Sequence, residues 1–406
     1  MFSPAVNAGP SILFDAATGE VISHERAGEP WYPASLTKLM TAYVVFKKIK
    51  AGSLKLDQRI VVSPLAASQV PSKIGIPPGG TITVDLALQT LLVYSANDIA
   101  YVLAEGAGGT VPNFVKDMNA EAQKLGLSST HFVNPNGLFD PRQLTSARDI
   151  GVLASTIYAE FPEHGHYFSQ AHVMLGKRKL ANRNSLIRLM PEADGMKTGF
   201  VCNSGFNLVA SATRNGRRLI AVVLGAPNGR TRADTAHQLL VDGFAQKTAT
   251  LNFKLDKLPT DELGALVPTD MTAQVCKSKQ PFTATRVSEL GGWGISFGTF
   301  ETMELADMTL RGRMIGPTGI NAPGKIGVVR MPNKSGYGAM LWNIDQFTSK
   351  LLCSNYRSQG TPCDVVAPEA FAQIAALTRD KEPVAKPQFA QGSDGPKPAK
   401  KKIKKK

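Results

Sequence analysis

The 406-residue chain has no run of 18 or more apolar residues, so no helical membrane span is expected. Met1 to Pro10 hold no basic residue and no long apolar stretch, so they do not form a secretion signal. Either the protein stays in the cytoplasm or a signal lies upstream of Met1. The chemistry below favours the second. Cysteine is scarce: Cys202, Cys276, Cys353 and Cys363, with no C-x-x-C pair, which leaves zinc-ribbon and thioredoxin-type readings without support. Cys353 and Cys363 flank a turn-like Ser358-Gln359-Gly360-Thr361-Pro362, and both a disulfide and two unlinked thiols stay open. Of six histidines, His164 and His166 form an H-x-H pair in a polar segment without further ligands, so no metal or cofactor is expected. The basic residues lack interleaved aromatics, so nucleic acid is not an expected partner. Seven lysines between Lys397 and Lys406 account for half of the net charge of +14, so the basicity is largely a tail property.

What is present can fold. Hydrophobic residues make up 43% of the chain, and its length suggests two or three domains. Residues 11–25 alternate around a turn ending at Gly19 and predict a hairpin. Leu36, Leu39, Met40, Tyr43, Val44 and Ile49 recur at helical spacing between Pro33 and Gly52. Helical stretches follow at 84–106, broken near Tyr94-Ser95-Ala96-Asn97, at 111–125 and at 146–159, with Ser146 a candidate N-cap. Strands are expected at Leu186–Leu189, Gly199–Val201, Phe206–Ala212 and Leu219–Leu224, the last two joined by an Asn215-Gly216 hairpin turn, then a helix at 232–246. Residues 250–290 are strand-poor and read as a connector or a small β extension. Residues 291–367 then read β-α-β-β-α-β: strands at 293–300, 325–331, 337–344 and 364–366, with helices at 301–315 and 345–358. Residues 381–406 are rich in Lys, Pro, Ala and Gly and are expected to be disordered.

Three short strings stand in order: Ser35-Leu36-Thr37-Lys38, Ser95-Ala96-Asn97 and Lys197-Thr198-Gly199. Each alone is common. A serine hydroxyl needs a base to attack a carbonyl, and a lysine three residues on along a helix lies on the same face. The positive end of the helix dipole there disfavours the lysine's charge and favours a developing alkoxide. Ser95 can relay a proton and Asn97 can orient the lysine. Lys197 and Thr198 on an edge strand offer a charge and a hydroxyl to a carboxylate, and Gly199 lets a ligand backbone approach. Backbone N–H groups of Ser35 and Phe200 are candidates for an oxyanion hole. Together these are the parts of a serine acyl-transfer enzyme that works without histidine.

The strings resemble those of the serine D-alanyl-D-alanine carboxypeptidases, the low-molecular-mass penicillin-binding proteins. The resemblance extends to Pro33 through Ala42, Ser95 through Asp98, Asn134-Pro135-Asn136-Gly137-Leu138, Asn182-Arg183-Asn184 and Asp194 through Phe200, and covers about residues 8–248. It implies an α/β (α+β) fold of the β-lactamase/transpeptidase type, an antiparallel sheet flanked by helices plus an all-helical lobe. It also implies that Ser35 attacks the penultimate D-Ala of a peptidoglycan stem peptide, with Lys38 as base. Ser95 and Asn97 would assist, and Lys197, Thr198, Gly199, Phe200 and Arg232 would bind the substrate. β-Lactam antibiotics would acylate Ser35, and the location would be periplasmic. The sequence departs from the family after Leu138, where Phe139-Asp140-Pro141-Arg142-Gln143 replaces a longer loop with histidine, and the family's C-terminal amphipathic anchor helix is not expected within these 406 residues. The segment from Trp293 to Phe300 and that from Cys353 to Val366 look similar to SPOR domains, which implies a ferredoxin-like unit over 289–368 that binds denuded glycan strands, with Phe297, Phe300, Tyr337 and Trp342 as candidate sugar contacts on an open sheet face, although strand periodicity puts some of these four on the buried side. The expected organisation is 8–248 catalytic, 249–288 connector, 289–368 SPOR-like and 369–406 a tail that either is solvated or adheres to anionic lipid or wall polymers. Rival readings are a wall endopeptidase or transpeptidase, a β-lactamase, for which the 150–170 region offers no matching glutamate, and a non-catalytic wall-binding scaffold.

Overall fold

The computed structural model describes residues 9–246, 253–261, 267–276, 290–316, 319–320, 324–331, 336–358 and 361–372. Its first sheet has five antiparallel strands in the order Val21–Glu25, Ser11–Asp15, Arg217–Ala226, Gly205–Arg214 and Ala193–Val201. Period-2 alternation divides its side chains. Ile12, Phe14, Val209, Ile220 and Val222 face a large helical core, whereas Leu13, Leu208, Ala210, Leu219 and Ala221 pack beneath the helix Gly229–Ala245. Because both faces are covered, the middle strands read as nearly unbroken apolar runs. The Asn215-Gly216 turn has positive φ at both residues (51° and 77°), as a two-residue hairpin of this type requires.

The helical core is built on Thr37–Lys50, Asn97–Gly108, Val111–Lys124 and Ala147–Glu160. Side-chain caps start the last two, from Thr110 and from the expected Ser146. The break anticipated near Tyr94 is a single π-helical turn, Thr90–Tyr94, ending in Ser95 in the left-handed conformation.

One expectation needs correction. Leu186–Leu189 is a helical turn, not a strand. The Asn184 side chain accepts from the Leu186 N–H and starts it, and a four-residue apolar run carries no period to distinguish the two. Within residues 249–288, Leu255, Leu258 and Met271 insert into the helical core, and Cys276 is disulfide-bonded to Cys202 at the end of the edge strand. That pairing was not legible across 74 residues. A second sheet lies C-terminal to these elements.

That sheet is antiparallel with strand order Lys325–Arg330, Tyr337–Ile344, Trp293–Phe300, Asp364–Val366. The helices Met303–Met314 and Gln346–Ser358 contribute Ala306, Leu310 and Cys353 to one core with Ile295, Val328 and Leu341. Cys353 and Cys363 are joined. The four aromatics do not share an open face. A bulge between Ser296 and Thr299 puts Phe297 and Phe300 on the same, helix-facing side, with Tyr337. Trp342, only 2% exposed, lies on the other side with Val329 and Met340, covered by Phe371. Phe371 falls inside the expected tail, and residues 381–406 lie outside the described residues.

Candidate active site

Ser35 sits in the 3-10 turn Ala34–Leu36 that leads into the helix Thr37–Lys50. Ala34, just before it, has φ 48°, a strained backbone that turns the serine out of the helix path. Gly137 makes room for this. A Cβ on Gly137, itself at φ 83°, would overlap the Ala34 carbonyl. Gly199 does the same from the edge strand, where a Cβ would lie 2.9 Å from the Pro33 carbonyl oxygen and 3.2 Å from the Ser35 nitrogen. The Ser35 backbone is thus wedged between two glycines.

The Lys38 side chain is fully buried. Its Nζ stands 2.9 Å from Ser35 Oγ, donates to Asn97 Oδ1 at 2.8 Å and to the Asn136 carbonyl at 2.5 Å. Burial lowers its pKa to about 7, while the Asp98 carboxylate pushes the other way. The amide and peptide oxygens can only accept, so a neutral amine spends both N–H bonds on them. Its lone pair then faces the Ser35 hydroxyl, the orientation a general base needs.

Asn97 is held by its own contacts. Its Nδ2 donates to the Val70 carbonyl at 3.0 Å and its backbone N–H to that of Ser72 at 2.6 Å. Asp98, also buried, accepts from the backbone N–H groups of Ile74, Gly75 and Ile99. Across the cleft, Lys197 Nζ donates to Ser95 Oγ at 2.9 Å and to the Thr198 carbonyl at 2.8 Å. Its pKa is driven well down by burial and by the charges of Lys38, Arg232 and Arg183. Ser95 therefore stands at the cationic strand, and Ser35 at the second lysine. Arg232 approaches from the helix Gly229–Ala245, 8% exposed, and its Nε has no partner among the described residues. A buried guanidinium with an unused N–H suits a carboxylate. The site thus gathers Ser35, Lys38, Ser95, Asn97, Lys197, Thr198, Gly199 and Arg232; Phe200 lies on the same edge strand with its ring against Phe206.

Three contributors had no signal in residue chemistry. The Asn136 carbonyl is backbone. Gly137 acts by having no side chain. Gln143 is a hub: Oε1 accepts from the Val133 and Asn134 N–H groups, and Nε2 donates to Asn134 Oδ1, so it sets the loop that carries Asn136. The H-x-H pair takes no part. His164 stacks on Phe46 in the helical core, and no group of three potential metal ligands exists among the described residues.

Residues 2–228 match the family described as D-alanyl-D-alanine carboxypeptidase. The chain belongs to this family. It is 37% identical over 252 residues to the D-alanyl-D-alanine carboxypeptidase DacA of Haemophilus influenzae, covering 60% of this chain and 63% of that protein. It is also 37% identical over 249 residues to DacC of Escherichia coli, covering 60% of this chain and 62% of that one. The chain thus spans a little under two thirds of the length of these relatives. Among solved structures, penicillin-binding protein 5 of Haemophilus influenzae aligns with TM-score 0.58 and 36% identity, over 60% of this chain and 73% of that one. A penicillin-binding protein of Listeria monocytogenes in its ampicillin-bound form aligns with TM-score 0.53 and 30% identity, over 60% of this chain and all of that one. The mixed α/β fold with antiparallel sheets is that of these penicillin-binding proteins.

Proposed function

We propose that this family member is a serine D-alanyl-D-alanine carboxypeptidase acting on peptidoglycan stem peptides. The observation that carries the reading is the buried Lys38 amine, whose two fixed acceptors leave its lone pair to Ser35 Oγ. Lys38 takes the Ser35 proton as Oγ bonds to the carbonyl carbon of the penultimate D-Ala. The N–H groups of Ser35 and Phe200 hold the oxyanion. Lys197, Thr198 and Arg232 hold the terminal carboxylate. Collapse breaks the peptide bond, and the proton passes from Lys38 through Ser95 Oγ to the leaving amine. Water then adds to the ester carbonyl as Lys38 takes its proton; the bond from the carbonyl carbon to Ser35 Oγ breaks, and Lys38 returns that proton to Ser35 Oγ. A β-lactam takes the same first step on Ser35 and is released slowly.

The C-terminal unit, 289–368, is read as a ferredoxin-like, SPOR-type module for glycan strands. Its strand order and the two helices on one face support this. The buried positions of Phe297 and Trp342 remove them from direct sugar contact. The catalytic unit is assigned to 8–248 and its location to the periplasm, because the substrate lies there. No helix among the described residues is long and apolar enough to cross a membrane.

The test is intact-mass spectrometry after benzylpenicillin, together with D-Ala release from a stem pentapeptide. Wild type gains one adduct and releases D-Ala, and Ser35→Ala does neither while remaining folded. A wild-type protein that is folded but forms no adduct would sink the catalytic reading in favour of a scaffold. Cleavage of cross-linked dimers without D-Ala release would point to an endopeptidase.

A further inference from the structure

The two segments that wall the Ser95 side of the cleft contain no acidic residue. Residues 58–84 carry Arg59 and Lys73 but no Asp or Glu; residues 164–191 carry Lys177, Arg178, Lys179, Arg183 and Arg188 and again no Asp or Glu. In a chain with 32 acids, two such gaps leave an exposed surface that is mainly cationic, with Asp85, Asp98 and Glu105 packed behind it from neighbouring helices.

The structure brings these segments together. The hairpin His172–Leu175 and Arg178–Ala181 leads into Arg183, whose backbone N–H donates to the Val93 carbonyl, two residues before Ser95. Arg183 lies over the Tyr94 ring at 4.5 Å and reaches Ser72 Oγ at 3.4 Å. Arg178 donates to the Ile74 carbonyl at 3.0 Å. Ser72 and Ile74 are the residues that Asn97 and Asp98 hold by hydrogen bonds. The cationic rim is therefore fastened to the catalytic groups. Its charge reaches the site, since Arg183 contributes to lowering the pKa of Lys197. Lys177, Arg178, Lys179, Arg183 and Arg188 are all exposed, and none forms an ion pair with a described residue. On this surface Arg178 and Arg188 donate to backbone carbonyls and Arg183 lies over an aromatic ring.

We propose that this rim is a specificity subsite for carboxylates upstream of the scissile bond, so that the enzyme prefers stem peptides whose second and third residues carry free carboxylates over peptides with those groups amidated. The inference rests on the carboxypeptidase reading and extends it to substrate choice. The terminal carboxylate is served by Lys197, Thr198 and Arg232. The rim, fastened beside Tyr94 and Ser72, is left for carboxylates elsewhere on the peptide. Exposed pairs of this kind each contribute about twofold to affinity and more to encounter rate, and salt screens both.

The test compares kcat/KM for a pentapeptide with both upstream carboxylates free and for the same peptide with both amidated. It uses wild type, K177Q/K179Q and K177Q/R178Q/K179Q, in about 20 mM and about 300 mM salt. Wild type favours the free acid by about tenfold at low salt. The preference falls to about threefold in the double variant and towards unity in the triple variant or at high salt. Benzylpenicillin acylation of each variant confirms an intact site. Equal rates on both peptides in wild type, or a preference that survives the triple variant, would overturn the subsite. So would a variant that loses binding to anionic vesicles while its peptide preference is unchanged. Failure of wild type to release D-Ala from either peptide would refute the carboxypeptidase reading itself, and the subsite with it.

Discussion

Acylation of Ser35 should titrate with Lys38 near pH 7. A lysine at its ordinary value of 10.5 would be neutral in about one molecule in 3,000 at pH 7, whereas a pKa of about 7 makes about half of them competent. The structural cause is full burial, which penalises the ammonium, opposed by the Asp98 carboxylate. The second-order rate of Ser35 acylation by benzylpenicillin, followed by mass spectrometry from pH 5 to 9, should rise with unit slope and level off above pH 7. At pH 5 it should lie about 100-fold below the plateau. Asp98→Asn removes the charge that holds the lysine's proton, so the midpoint should move to lower pH. The slope test uses the wild type, in which the loop contacts of Asp98 are intact. A rate that is flat between pH 5 and 8, or a rise centred above pH 9, would refute the neutral-amine mechanism.

Other consequences follow from the same geometry. Lys38 has a folded pKa near 7 and an unfolded pKa of 10.5, so below pH 7 both states bind its proton and its contribution does not vary with pH. Between these values the unfolded state binds more protons, and wild-type stability should rise relative to Lys38→Met by up to about 1.4 kcal/mol per pH unit, read from denaturant melts. Gly137→Ala should push the Ala34 carbonyl and displace Ser35, slowing acylation by about 100-fold with a loss of about 1–3 kcal/mol in stability; unchanged acylation would show that the loop yields. Arg232→Gln should raise KM for a D-Ala-D-Ala peptide by about tenfold and leave kcat nearly unchanged, since a carboxylate contact made in both ground and transition state is uniform binding. Cys202→Ser opens a bridge spanning 74 residues and should cost about 4 kcal/mol on the loop-entropy estimate, seen as a lower melting temperature than wild type under oxidising conditions.

Much of the site could be read from the chain because its chemistry is written in residue types at short range. Ser35 and Lys38 are three apart on one turn, Ser95 and Asn97 mark a helix break, and Lys197 to Gly199 lie on one strand. Local pattern likewise determined the first hairpin, the Asn215-Gly216 turn and the Ser146 cap. In each case a turn residue, a cap or a period of 2 or 3.6 leaves few alternatives. Tertiary structure decided what depends on distance in the chain. It brought the Asn136 carbonyl to Lys38 across 98 residues and Lys197 to Ser95 across 102. It paired Cys202 with Cys276, and used Gly137 where only the absence of an atom matters. It also overruled local reading where a short segment was ambiguous, as at Leu186–Leu189, and where a bulge moved Phe297 and Phe300 to one face. Spacing identifies which groups are available. Only packing removes water from Lys38, and without that burial the same three strings would hold a charged lysine beside an unreactive serine.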